Sequence, residues 1–274
     1  MLKRLTEADR ETLNEFLRAG EPETTHLLAH SLRWPMERCD EEPRGADYYG
    51  LFDEMGRLRS ALAIFAGGDA IAEGDARDGA LLAGPLARER SLHSLSGSTE
   101  LTADIAARLS RVHRIAESMD GTVNVYLERL EFAAAPDWLE IKKLEPCDAR
   151  LCAELCAVYN EAQEEELPPE YFSRLAASMG ADEGIYAAMA EGRVAGTETV
   201  ISTERFAYLM ALAVAPDFRR RGVATALRNA IRSEMEGAGL QLTGLIGTKN
   251  AASAKGAEKL GAKAVSAASY YWFK

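Results

Sequence analysis

Residues 206–227 read Phe206-Ala207-Tyr208-Leu209-Met210-Ala211-Leu212-Ala213-Val214-Ala215-Pro216-Asp217-Phe218-Arg219-Arg220-Arg221-Gly222-Val223-Ala224-Thr225-Ala226-Leu227. Large apolar residues alternate with small ones up to Val214, which is the pattern of a buried strand, and Pro216 ends it. Beyond Gly222 the apolar positions Val223, Leu227, Ala230, Ile231 and Met235 form one stripe of a helix that runs to about Gly237. Three arginines therefore sit in a turn at a helix N-terminus. Unpaired amide N–H groups and the positive end of the helix dipole make such a terminus an anion site, and glycine lets the backbone approach a phosphate closely.

Arg219-x-x-Gly222-x-Ala224, preceded by Val214-x-Pro216, resembles the acyl-CoA loop of the GCN5-related N-acetyltransferase (GNAT) superfamily. The resemblance implies an α/β fold, a mixed sheet flanked by helices. It also implies acetyl-CoA as co-substrate, with no metal, and direct transfer of the acyl group to a primary amine of a small molecule or peptide. By the same resemblance Arg219, Arg220, Arg221, Gly222, Val223, Ala224 and Thr225 hold the phosphates, and backbone groups of Leu212 and Val214 meet the pantetheine arm. Asn250-x-x-Ser253, with Gly261 eight residues further on, resembles the second cofactor motif and adds Asn250 and Ser253 to the cofactor side.

Two departures bear on catalysis. Ala257 stands where family members commonly carry a tyrosine that protonates the leaving thiolate, and Met210 and Ala211 stand where many carry a carboxylate base. Glu198 and Tyr208, on the two central strands, are the catalytic candidates in their place, followed by Glu204 and Tyr270. A carboxylate can relay the amine proton through water, and a phenol can protonate sulfur. The alternative is an acyl-CoA-binding regulatory or scaffold protein without catalysis.

The chain has 274 residues, 47% hydrophobic and 27% charged, which suits two soluble globular domains. Its net charge of −11 argues against general nucleic-acid binding. Residues 1–137 hold 16 Lys plus Arg against 25 Asp plus Glu, or −9, and the rest hold 16 against 18, or −2. The second half keeps its cations where an anionic cofactor uses them. No apolar run approaches a membrane span and the N-terminus lacks a signal-peptide core, so a cytoplasmic protein is expected. Cys39, Cys147, Cys152 and Cys156 make no disulfide framework and no zinc motif.

In the first half the pattern predicts helices near residues 6–19 and 23–34, then strands at 47–54, 57–66, 70–73 and 80–83. A serine-rich loop is expected at 91–98, a long helix at 99–119 and a strand at 123–130. Where the phosphate loop is expected the sequence has Gly84-Pro85-Leu86-Ala87-Arg88-Glu89-Arg90. Residues 1–136 therefore read as a degenerate GNAT-like copy without a cofactor loop, and 137–274 as the acyl-CoA-binding copy. The expected assembly is a monomer, as an intramolecular pseudo-dimer, or a homodimer, and the sequence does not choose between them. The second half predicts strands at 138–144, 184–190, 194–202 and 240–247, and a closing strand pair at 263–266 and 268–273. The run Glu161-Ala162-Gln163-Glu164-Glu165-Glu166 is read as a solvated helix end, with attraction of a cationic acceptor as the functional alternative.

Overall fold

The computed structural model describes residues 1–39, 44–127, 135–145, 148–163 and 167–274. The chain order is β1 (Leu2–Arg4), α1 (Arg10–Ala19), α2 (Thr25–Arg33), β2 (Ala46–Phe52), β3 (Leu58–Phe65), β4 (Asp69–Gly74), α3 (Gly79–Ala87), β5 (Ser94–Ser98), α4 (Thr99–Leu109) and β6 (Ile115–Tyr126). It continues with β7 (Glu140–Lys143), α5 (Ala149–Gln163), α6 (Tyr171–Ala177), β8 (Gly184–Ala190), β9 (Arg193–Ser202), β10 (Phe206–Val214), α7 (Val223–Gly237), β11 (Gln241–Gly247), α8 (Ala251–Lys259) and β12 (Ala262–Phe273). The same succession of elements occurs twice. In each copy a short 3-10 turn, Ala76–Asp78 or Pro216–Phe218, separates the fourth strand from the following helix.

Two compact units result. The first comprises Met1–Asn124, Leu245–Ala254 and Ala264–Lys274, and the second Val125–Gly244 and Lys255–Lys263. In the first unit the strands run in the order β1-β2-β3-β4-β5-β12-β6, so the chain's last strand lies beside β5. Its antiparallel register there is Ala268 opposite Ser98 through Trp272 opposite Ser94. The second unit has the order β11-β10-β9-β8-β7. Within each unit the strand pairing is mixed, with β4–β5 and β10–β11 parallel and the hairpins antiparallel.

Several expectations for the first half are corrected. Residues 80–83 are helical, because Leu82 and Leu86, one turn apart, are both fully buried against Leu101 and Ile105. Ser94–Ser98 is a strand, not a loop. Its short side chains are what close backbone approach requires: a Cβ on Gly97, at φ +136°, would lie 1.9 Å from the Ala72 carbonyl oxygen. The long helix stops at Leu109. Val112, within the expected helix, is 61% exposed, and β6 begins at Ile115. The closing strand pair is one continuous strand, β12, in which runs of Ala and Ser resemble a turn by composition alone.

The degenerate loop also lies elsewhere. By element order its place is Gly74–Gly79, between β4 and α3, and Gly84–Arg90 falls in and after α3. At Gly74–Gly79 the first copy carries carboxylates. Asp78 is buried and accepts hydrogen bonds from Arg59 Nε at 2.8 Å and Ser60 Oγ at 2.6 Å, while Asp75 accepts from the Arg77 amide at 2.9 Å. Asp75 takes the turn amide that an anion would need, and both carboxylates are ion-paired, Asp75 to Arg77 and Asp78 to Arg59.

Candidate active site

In the second unit β10 runs parallel to β11 from Phe206/Gln241 to Leu209/Gly244. On its other side it pairs with β9 as far as Val214 opposite Gly196, with one extra residue, Met210, between Leu209 and Ala211. A bulge of this kind increases local twist and bends the strand. It falls just beyond Leu209/Gly244, the last pair of the register with β11. Gly196 makes the packing possible, since a Cβ there would meet the Ala213 carbonyl oxygen at 2.8 Å and Val223 Cγ1 at 2.9 Å.

The arginine turn follows. Pro216–Phe218 is a single 3-10 turn with Phe218 buried beneath it. Arg220 has φ +60° and Gly222 φ +90°, so the chain enters the left-handed region twice before α7 begins. Gly222 is the N-cap of α7, and the Ala226 amide makes the first helical bond, to the Gly222 carbonyl at 2.9 Å. The amides of Val223, Ala224 and Thr225 thus lie in the first turn, where an α-helix offers them no carbonyl four residues back. Among the described residues, nothing comes within 4 Å of a Cβ built on Gly222. An open, glycine-capped helix start beside three arginines has the donor set that suits a phosphate group.

The arginine side chains are used differently. Arg219 Nε donates to the Val214 carbonyl at 3.1 Å. The Arg221 guanidinium carbon lies 4.5 Å from the Trp138 ring centroid and 5.2 Å from that of Phe218. Those two rings stack at 6.4 Å with 15° between their planes, and Arg193 covers Phe218 at 5.2 Å. Sequence reasoning missed Trp138, Phe218 and Arg193. The one available signal was a lone aromatic, Phe218, set among charged turn residues.

Glu198 and Tyr208 are not brought together. Across the β8–β9 and β9–β10 pairings, Glu198 shares a sheet face with Tyr186 and Leu212, under α7. It is 1% exposed, and Oε1 accepts from Arg228 Nε at 3.2 Å. Burial raises its pKa, and the neighbouring Arg228 charge opposes the rise. Tyr208 pairs with Ile201 on the opposite face, the face of Thr199 opposite Ile185, which belongs to the core formed with α5 and α6. Glu198 is thus closed beneath α7, on the sheet face opposite to that of Tyr208.

Asn250 and Ser253 belong to the first compact unit, where Asn250 Oδ1 accepts from the Ser253 amide at 3.0 Å and caps α8. Ala257 is buried in the second unit, so the position points into the core. Tyr270, on β12, lies in the first unit with Ser96 as its partner. Beside the arginine turn an open groove of about 410 Å³ is lined by Glu154, Val158 and Glu161 of α5 together with Arg193, Pro216 and Phe218. Of the acidic run, residues 164–166 lie outside the described residues, as does Cys147. Cys152 and Cys156 are buried, and Cys156 donates its thiol towards the Leu167 carbonyl at 3.3 Å. Among the described residues, no group of three or more His, Cys, Asp or Glu is placed to hold a metal, and no helix is long and apolar enough to cross a membrane.

Residues 149–262, which contain the bulged strand, the arginine turn and α7, match the sequence model of the acetyltransferase (GNAT) family. The second half of the chain therefore carries a GNAT domain, and the whole chain has the fold of a tandem GNAT protein. Among solved structures, a Drosophila protein from a structural genomics programme is similar at 13% identity, with a TM-score of 0.71 over 99% of this chain and 98% of that one. A tandem GNAT protein from the clavulanic acid biosynthesis pathway is similar at 16% identity, TM-score 0.63, over 100% and 98%. A GCN5-related N-acetyltransferase from Sphaerobacter thermophilus is similar at 15% identity, TM-score 0.60, over 99% and 94%. A search of curated proteins gives no match.

Proposed function

We propose that the second copy binds acyl-CoA at Arg219–Thr225 and transfers its acyl group directly to a primary amine of a small molecule or peptide. The observation that carries this reading is the glycine-capped start of α7. Gly222 at φ +90° presents the first-turn amides beside Arg219, Arg220 and Arg221, on a strand whose bulge follows its register with β11. Bound acyl-CoA supplies an activated thioester. The chain's contribution is to fix the phosphates at the turn and to lay backbone groups of β10 along the arm, so that an incoming amine meets the acyl carbon in line. Such positioning is worth up to roughly 7–11 kcal/mol. On this reading Tyr208, on the α5 and α6 side, protonates the departing sulfur as the C–N bond forms and the C–S bond breaks, and water takes the proton that the amine loses. The first copy, with Asp75 and Asp78 where the second has its arginine turn, contributes no second phosphate loop.

A binding-only reading is favoured by two observations: Ala257 is buried where a tyrosine acid is common, and Glu198 is closed off by Arg228. Calorimetric titration with acetyl-CoA and CoA, beside Gly222→Asp, followed by thiol release against an amine panel, separates the readings. Binding lost in the variant together with thiol release by an amine supports transfer. Binding with no turnover on a broad panel supports the alternative, and no binding by the unaltered protein refutes both.

A further inference from the structure

The turn's three arginines share a charge but not a setting. Arg219 is tied to its own strand through the Val214 carbonyl, and Arg220 is exposed at φ +60°. Arg221 folds back onto Trp138, a residue ahead of β7 and outside the segment that matches the family. A guanidinium beside two aromatic faces is held by the ring quadrupoles and by stacking. Phe218 is buried and covered by Arg193 on β9, so that side of the stack is anchored to the sheet, whereas Trp138 is 37% exposed. Holding the Arg221 side chain constrains the backbone between its two left-handed residues, Arg220 and Gly222.

We propose that Trp138 and Phe218 clamp Arg221 and thereby pre-set the anion-binding turn. Arg221 is then a positioning residue, and Arg220 and the first-turn amides of α7 are the groups that meet phosphate. A turn ordered before binding does not have to be ordered by its ligand, which raises affinity. The inference rests on the acyl-CoA reading for its ligand, but the clamp itself is measurable without one.

The test compares Trp138→Ala, Trp138→Phe, Arg220→Ala, Arg221→Ala and the Trp138→Ala/Arg221→Ala pair, each first checked for an unchanged melting transition. In CoA titrations at several salt concentrations, Trp138→Ala is expected to weaken binding about 2- to 5-fold, with the salt dependence kept. Arg220→Ala is expected to flatten the salt dependence. The double variant is expected to be no weaker than Arg221→Ala alone, since both changes break one contact, and Trp138→Phe is expected to restore binding. Without CoA, trypsin is expected to cut at Arg221–Gly222 several-fold faster in Trp138→Ala than in the unaltered protein. Unchanged cleavage and affinity in Trp138→Ala, or additive losses in the double variant, would overturn the clamp. If the unaltered protein binds no CoA, the proposed function fails, and the cleavage rates alone decide the clamp.

Discussion

Glu198 and Tyr208 show how one residue of register decides a role. Both lie on central strands of the second unit, but the β9–β10 pairing turns one towards α7 and the other towards α5 and α6. Glu198 is ion-paired to Arg228, and removing one partner of a buried pair leaves an uncompensated charge that costs about 3–5 kcal/mol. Arg228→Met is therefore expected to lower the melting temperature sharply, and Arg228→Met/Glu198→Gln to recover much of the loss, as read by thermal melts. For the proposed transfer, Glu198→Gln is expected to keep kcat within a few-fold of the unaltered protein. Tyr208→Phe is expected to lower kcat while leaving CoA affinity unchanged. A Glu198→Gln variant that melts normally but loses a hundredfold or more in kcat would return Glu198 to the role of base.

At the scale of elements, β4 and β10 occupy corresponding places and have diverged in charge. Glu73, near the end of β4, is buried and accepts a hydrogen bond from the Ser98 backbone on β5, and burial pushes its pKa up to about 8 from an ordinary 4.5. A folded pKa above the unfolded one means that the folded chain binds the proton more tightly. The group's stabilising contribution is full below about pH 4.5 and is lost as pH rises through about 8. Glu73→Gln keeps an acceptor for Ser98 and removes the titration. Its melting temperature relative to the unaltered protein is expected to rise between pH 5 and pH 9, and a pH-independent difference would contradict this. The strand–turn–helix of β10 and α7 was legible in the sequence because an alternating apolar run, a proline, a basic turn and a 3.6-period stripe agree. β5 was not legible. Its serines and Gly97 are small because neighbouring backbones approach closely, a tertiary requirement that looks like loop composition in one dimension. The faces of Glu198 and Tyr208 were hidden too, since they depend on the hairpin register that sets Tyr208 opposite Ile201.

For the whole molecule, the repeat was readable from the sequence except at α3 and β5, and the destination of the last strand was not. A strand's pattern fixes its two faces and leaves its partner open. β12 is the last element of the second copy, and its residues 264–273 belong to the first compact unit, where they pair with β5 from Ala268/Ser98 to Trp272/Ser94. Phe273 joins the buried core that contains Leu82, Leu86, Leu101 and Ile105. A fragment of residues 138–274 therefore loses the strand that β12 pairs with, as well as the apolar surface that covers Phe273. It is left with an unpaired strand carrying Tyr270, Tyr271 and Trp272, which is an aggregation hazard. The fragment is expected to be poorly soluble or to lack a cooperative melt. Conversely, deleting residues 264–274 from the full chain is expected to raise amide exchange in β5, whose antiparallel neighbour is removed, while β8 and β9, paired within the second unit, stay protected. A soluble, cooperatively folded 138–274 fragment, or unchanged exchange in β5 after the deletion, would show that β12 contributes little to the first unit.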